Sequence, residues 1–293
     1  MARTLWAVLT LLGVLVVGTS SAQDRLLPMP ESFLSQVRAH LKTDRQLLSQ
    51  YTFHQREAEL HLNKLGKLTT GPVKTYEIYP GLDPDDTYRR LIDVDGTPRN
   101  HTELENEDRK HQKHVLDELN RRAHESASDR EKRLQRETKD QRDLDAWIDD
   151  VFRVYTFAIV ERQLLDGHST VVVDFKPRPD VAPRTDDGKD LKKVKGRAWI
   201  SEDDYQVARV DIEMLEDLSV KGFLARLYKG TTASYERHQV NDEVWLPAEI
   251  RLNLSGRALF RKFQIKTVIQ YFDYRKFSVK TDTEFALPTK VAE

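Results

Sequence analysis

Through much of this chain apolar and polar residues alternate with a period of two, the mark of strands with one buried and one wet face. The plainest case is Val154–Phe175, VYTFAIVERQLLDGHSTVVVDF, which reads as two strands joined at Asp166-Gly167, a strong short-range signal for a hairpin. In its second arm Val171, Val173 and Phe175 share one face, while Thr170, Val172 and Asp174 share the other. Further short strands are predicted at Tyr51–Glu57, Lys74–Tyr79, Thr87–Asp93, Arg197–Ser201, Gln206–Met214, Tyr235–Val240, Val244–Leu246, Glu249–Ser255 and Phe263–Tyr271. They follow one another hairpin by hairpin, as antiparallel strands do.

Two stretches carry a helical period instead. In Glu31–Ser49 the residues Phe33, Leu34, Val37, Leu41, Leu47 and Leu48 recur at three- and four-residue spacing, which predicts an amphipathic helix. Residues Glu103–Asp150 are dense in Glu, Lys, Arg, Asp and Gln, with almost no Gly, Pro or β-branched residues, and predict one or two long helices. Their apolar stripe is thin: Leu116, Leu119, Ala123 and Ala127, extended by Leu134, Leu144, Trp147 and Ile148. So charged a segment also suits a partly disordered linker. Lys176–Lys195, with four Pro and Gly residues and a run of Asp and Lys, reads as an exposed loop.

Helices set apart from strand runs argue an α+β fold with one large antiparallel sheet. Such a sheet is too long to stay flat; it should curl over the helices and enclose an apolar space. Alternation then sends Phe157, Ile159, Val171, Val173, Phe175, Val210, Ile212, Ile250, Leu252, Phe263 and Ile265 inward as the lining of any ligand cavity. It sends Arg209, Asp211, Arg251, Lys262 and Lys266 to solvent. A filled core needs the same alternation, and the aromatics Trp199, Trp245, Phe223, Phe260 and Phe272 fit either.

The amino terminus adds an address. Arg3 precedes the apolar run Leu5–Val17, and Ser20 and Ala22 have the spacing a signal peptidase prefers, so cleavage is expected after Ala22. That run falls short of the roughly 20 residues a spanning helix needs. Residues 1–22 are thus expected to be a signal peptide, and 23–293 a single domain carrying a charged helical insertion at 103–150. The chain has no cysteine, which excludes disulfides, thiolate metal sites and a lipidated amino-terminal cysteine, and fits a bacterial periplasm. With 47 basic and 48 acidic residues there is no global pull toward nucleic acid.

Candidate chemistry is sparse. His111 and His114 stand one helical turn apart with Asp117 and Glu118 beyond, but Gln112 occupies the place where a metal-hydrolase helix carries its general base. A solvated helix surface is the expectation there. Asp149-Asp150 and Asp203-Asp204 suit local hydrogen bonding at helix ends and turns. No Gly-x-Ser-x-Gly elbow, Walker loop or dinucleotide fingerprint occurs, so no enzyme activity, cofactor or metal is expected.

The stretches DGHSTVVVDFKPRP (Asp166–Pro179), GRAWISEDDYQVARVD (Gly196–Asp211) and NDEVWLP (Asn241–Pro247) resemble exported outer-membrane lipoprotein-sorting proteins, a group similar to the LolA-like carriers. The resemblance runs from about Ser49 through Phe277 and lies in strand and turn patterns. It implies an unclosed antiparallel β-barrel lidded by helices, and a soluble periplasmic carrier or sensor holding acyl chains of a lipoprotein or lipid. The long charged segment motivates an alternative, an interaction scaffold that docks a protein partner in the envelope.

Overall fold

The computed structural model describes residues 25–41, 47–63, 65, 67–82, 87–220, 225–259 and 261–276. The expected signal segment, Phe223 and Phe260 therefore lie outside the described residues. Three α-helices are described along their whole length, α1 (Pro30–His40), α2 (His101–Ala123) and α3 (Ala127–Val154). Fourteen strands accompany them: β1 (Tyr51–Leu62), β2 (Leu68–Thr70), β3 (Lys74–Pro80), β4 (Thr87–Val94), β5 (Thr97–Pro98), β6 (Tyr155–Leu165), β7 (His168–Pro177), β8 (Val194–Ser201), β9 (Val207–Met214), β10 (Leu218–Val220), β11 (Ala225–Leu227), β12 (Thr232–Val240), β13 (Val244–Ala258) and β14 (Arg261–Lys276).

All fourteen strands join one antiparallel sheet, whose main path runs β5-β4-β3-β1-β14-β13-β12-β9-β8-β7-β6. β2 attaches to β1, and the β10–β11 hairpin attaches to β13. β5 and β6 end the path without meeting, so the sheet is unclosed. This is the α+β architecture expected from the segregated helices and strands, unclosed as the resemblance implied, with more strands than alternation revealed. Short strands such as β5 and β10 offer too few residues for a period, and Val244–Leu246 and Glu249–Ser255 prove to be one strand, β13, across an irregularity opposite Glu236 and Arg237.

The chain from one sheet edge to the other is the charged helical segment. α2 follows β5 and α3 runs straight into β6. At 1.5 Å per residue they are about 35 and 42 Å long. Each begins on a side-chain cap: Asn100 accepts from the Thr102 N–H at 2.8 Å, and Ser126 from the Asp129 N–H at 3.1 Å. The turns at Asp95-Gly96 and Asp166-Gly167 have positive φ at both residues (55° and 78°, 48° and 82°), as two-residue hairpins require.

Three sequence expectations need correction. The first helix stops at His40, residues 42–46 lie outside the described part, and Leu47-Leu48 are helical. The physical reason is that Phe33 and Val37 enter one core cluster while Leu47 and Leu48 pack on another, which one straight helix would not serve. The docked stripe of α2 is not Leu116, which is exposed, but the face of Asp108, His111 and buried Val115. Finally, the 176–195 loop is not merely exposed: it contains a 3₁₀ turn, Asp187–Lys193, with Gly188 buried against the end of α3.

Register fixes two faces. One row reads Val173, Ala198, Val210, Tyr235, Ile250 and Ile269 across β7, β8, β9, β12, β13 and β14. The next reads Phe175, Gly196, Ile212, Ala233, Leu252 and Thr267 on the same face. Phe175 lies over Gly196, where an added Cβ would strike that ring and the Asp211 carbonyl. α1 covers one end of this face: Phe33 and Val37 are buried with Val171, Val173, Ala198 and Ile200. At the other end Tyr51, Phe53, Ile78, Val240 and Leu246 form a second cluster under Leu47 and Leu48.

Candidate functional site

The structure puts all eleven expected lining residues on one face, but in two environments. Val171 and Val173 are fully buried, and Phe157, Ile159, Phe175 and Val210 pack against their cluster under α1. Ile212, Ile250, Leu252, Phe263 and Ile265 belong to neither cluster and are only half-buried. With Leu254 and Ile269 they form an apolar strip over β9, β13 and β14, about 20 Å long along β14 from Phe263 to Ile269 at 3.3 Å per residue. Beyond β14 the same face turns polar: Glu57 stands opposite Ile269 and is held by Arg89, whose guanidinium lies 4.3 Å from the Tyr76 ring centre.

The opposite face holds a groove of about 990 Å³. It runs across the strands between the rows Asp174, Arg197, Asp211, Ser234, Arg251 and Lys195, Glu213, Thr232, Asn253, Lys266. Of the eleven expected residues only Phe175, Ile212 and Leu252 touch it, in the row whose side chains turn to the other face. Its carboxylates are already engaged. Arg197 grips Asp174 at 2.6 and 3.0 Å and holds that carboxyl below its usual range, while Arg209 and Ser234 donate to Asp211 at 2.8 and 2.6 Å. Such internally satisfied ion pairs leave the groove little unspent chemistry.

Two anchors set the helices on the sheet. In the first, α2 meets β4 through Asp108, which accepts two hydrogen bonds from Arg90 at 3.0 and 3.1 Å and one from the Tyr88 hydroxyl at 2.8 Å. His111 stacks on Tyr88 with ring centres 4.0 Å apart, so the sequence expectation of a solvated His111 is wrong; His114 is exposed as expected. Burial and the Asp108 hydrogen bond push the Tyr88 phenol upward. Among the described residues no three potential metal ligands gather.

The second anchor was missed in the sequence. Arg162, almost fully buried, donates to both oxygens of Glu202 at 2.7 Å and to the carbonyls of Arg25 and Leu26 at 2.7 and 3.2 Å. Ser169 adds a third hydrogen bond to Glu202 at 2.7 Å. A bulge between Ile159 and Glu161 reverses the alternation of β6, so Arg162 stands opposite Val171 on the apolar face. The segment leading into α1 is thereby tied to the sheet.

No family model matches the chain, and no curated protein does. Solved structures to which this chain shows similarity include a LolA superfamily protein from Nitrosomonas europaea (11% identity, TM-score 0.28, covering 88% of this chain and 98% of that one). A DUF1329 family protein from Desulfovibrio piger follows (13%, 0.30, 87% and 96%). A third is described as an outer membrane lipoprotein-sorting protein domain from Vibrio parahaemolyticus (8%, 0.29, 87% and 94%). At TM-scores this low the superpositions carry nothing over to this chain.

Proposed function

We propose that the protein is a non-enzymatic carrier or sensor of the bacterial periplasm that shelters an acyl chain, of a lipoprotein or lipid, on the apolar strip of its sheet. The observation that supports this is the contrast along one face: Val171 and Val173 are sealed under α1, whereas Ile212, Ile250, Leu252 and Ile265 are left half-buried. Apolar area of that kind is worth about 0.8 kcal/mol per methylene covered, so an extended chain gains useful retention without a charged contact. The Glu57–Arg89 pair at the border gives a headgroup a polar place to end.

The test separates binding from folding. Leu252→Ser should weaken displacement of a fluorescent fatty acid about ten-fold while lowering stability by less than about 1 kcal/mol, because the strip is already partly hydrated. Val173→Ser should do the reverse, costing roughly 2–3 kcal/mol in the sealed core. Equal losses of binding and stability in both variants would mean that the strip is simply core.

A second reading attaches to the helical pair. Leu116, Leu134 and Trp147 are 53%, 49% and 37% exposed on an otherwise charged surface, which suits a protein partner in the envelope. Site-specific cross-linking from position 116 in envelope extracts should then give one discrete product that disappears in Trp147→Ala. A smear or nothing would end this reading.

A further inference from the structure

The turn between β13 and β14 stands at a place where charge and exposure disagree with the rest of the molecule. Between Glu249 and Asp273 the chain has no acidic residue and five cations, and between Asp217 and Glu236 it again has none, although the whole protein carries a net charge of only −1. Pairing gathers these cations side by side. Arg226 on β11 stands opposite Arg257 on β13, and Arg257 stands opposite Lys262 on β14, with Arg261 next along. Like charges directly opposite on neighbouring strands are unfavourable. Arg226 has Asp217 at 3.7 Å, but Arg257, Arg261 and Lys262 have no ion pair among the described residues.

The tip itself is apolar. Ala258 pairs with Arg261, and Leu259 follows Ala258 into the turn. Leu259 is 56% exposed and has φ +52°, a conformation for which Asn or Gly is the ordinary occupant. A leucine there neither eases the turn nor enters a core. An apolar tip beside four cations, three of them without an ion pair among the described residues, is the pattern of a segment that dips into a bilayer while its charges meet anionic headgroups.

We propose that the β13–β14 turn, with Arg226, Arg257, Arg261 and Lys262 around Leu259, docks the protein on an anionic phospholipid bilayer. The cations supply attraction and orientation, and Leu259 supplies the contact that distinguishes a bilayer from a soluble polyanion. This surface lies at a strand end and does not depend on whether the apolar strip holds an acyl chain.

The full chain should co-sediment with phosphatidylcholine vesicles containing phosphatidylglycerol and only weakly with phosphatidylcholine alone, and added salt should release it. At about 1 kcal/mol per cation near the surface, the variant Arg257→Gln/Arg261→Gln/Lys262→Gln should bind roughly 100-fold more weakly. Leu259→Asn keeps folding out of the comparison, because Asn suits the positive φ: its melting temperature should hold or rise while vesicle binding falls about five-fold. Lys139→Gln on exposed α3 should leave binding unchanged. Equal binding to neutral vesicles, full binding by the triple variant, or full binding by Leu259→Asn would each overturn the proposal.

Discussion

Arg162→Ala should destabilise the protein by about 3–5 kcal/mol, the usual cost of removing one partner of a buried ion pair. The loss goes beyond the ion pair. Glu202 would keep only Ser169 as a side-chain donor, and the carbonyls of Arg25 and Leu26 would lose theirs. Because those carbonyls precede α1, whose Phe33 and Val37 seal the sheet, the damage should spread into the first core cluster. Equilibrium denaturation would measure it, and hydrogen exchange should show early opening of residues 30–40. The Arg162 guanidinium, against the opposing cost of burial, holds the Glu202 carboxyl below its ordinary value. A depressed carboxylate contributes stability that is present above its unfolded pKa and lost as pH falls through the folded one, so acid should weaken the wild type more than Arg162→Ala. A change below about 1 kcal/mol, or an unchanged acid slope, would show that this clamp is dispensable.

Asp150→Ala should cost roughly 3 kcal/mol by a different route. The carboxylate is fully buried and accepts from the Arg184 N–H at 2.8 Å, the Thr185 N–H at 2.7 Å and the Thr185 hydroxyl at 2.7 Å. Burial alone would raise its pKa, but these donors outweigh burial and lower it. Without it the loop beside α3 would hold backbone donors in a dry place with nothing to accept them. The effect should appear as proteolytic nicking between residues 178 and 193 before global unfolding, and as a flatter loss of stability toward acid in the variant than in the wild type. Resistance to nicking equal to that of the wild type would exclude Asp150 as the loop's anchor.

Both residues show where sequence reasoning stopped. Asp149-Asp150 was legible as a pair suited to helix-end hydrogen bonding, yet the partners of Asp150 come from a loop more than thirty residues later in the chain. Arg162 was hidden by the alternation that revealed its neighbours: after Phe157 and Ile159, strict alternation turns Glu161 inward and Arg162 out. One bulged residue, Val160, reverses them, and nothing local to it announces the change. The stripe of α2 failed for a related reason. Leu116 is the more apolar residue, but the sheet edge offers Tyr88 and Arg90, and these select His111 and Asp108 instead.

The sequence by itself determined the longer strands, the two Asp-Gly turns, the charged helical segment and the face on which Ile212, Ile250 and Leu252 lie, because all of these follow from local period and turn chemistry. Only the tertiary structure decided which part of that face is sealed and which is left half-open, since coverage depends on where α1 lands and not on the strands beneath it. It also decided that Arg226, Arg257 and Lys262 stand abreast, because β11 and the two arms of the β13–β14 hairpin come from separate stretches of the chain that backbone hydrogen bonding brings into one register.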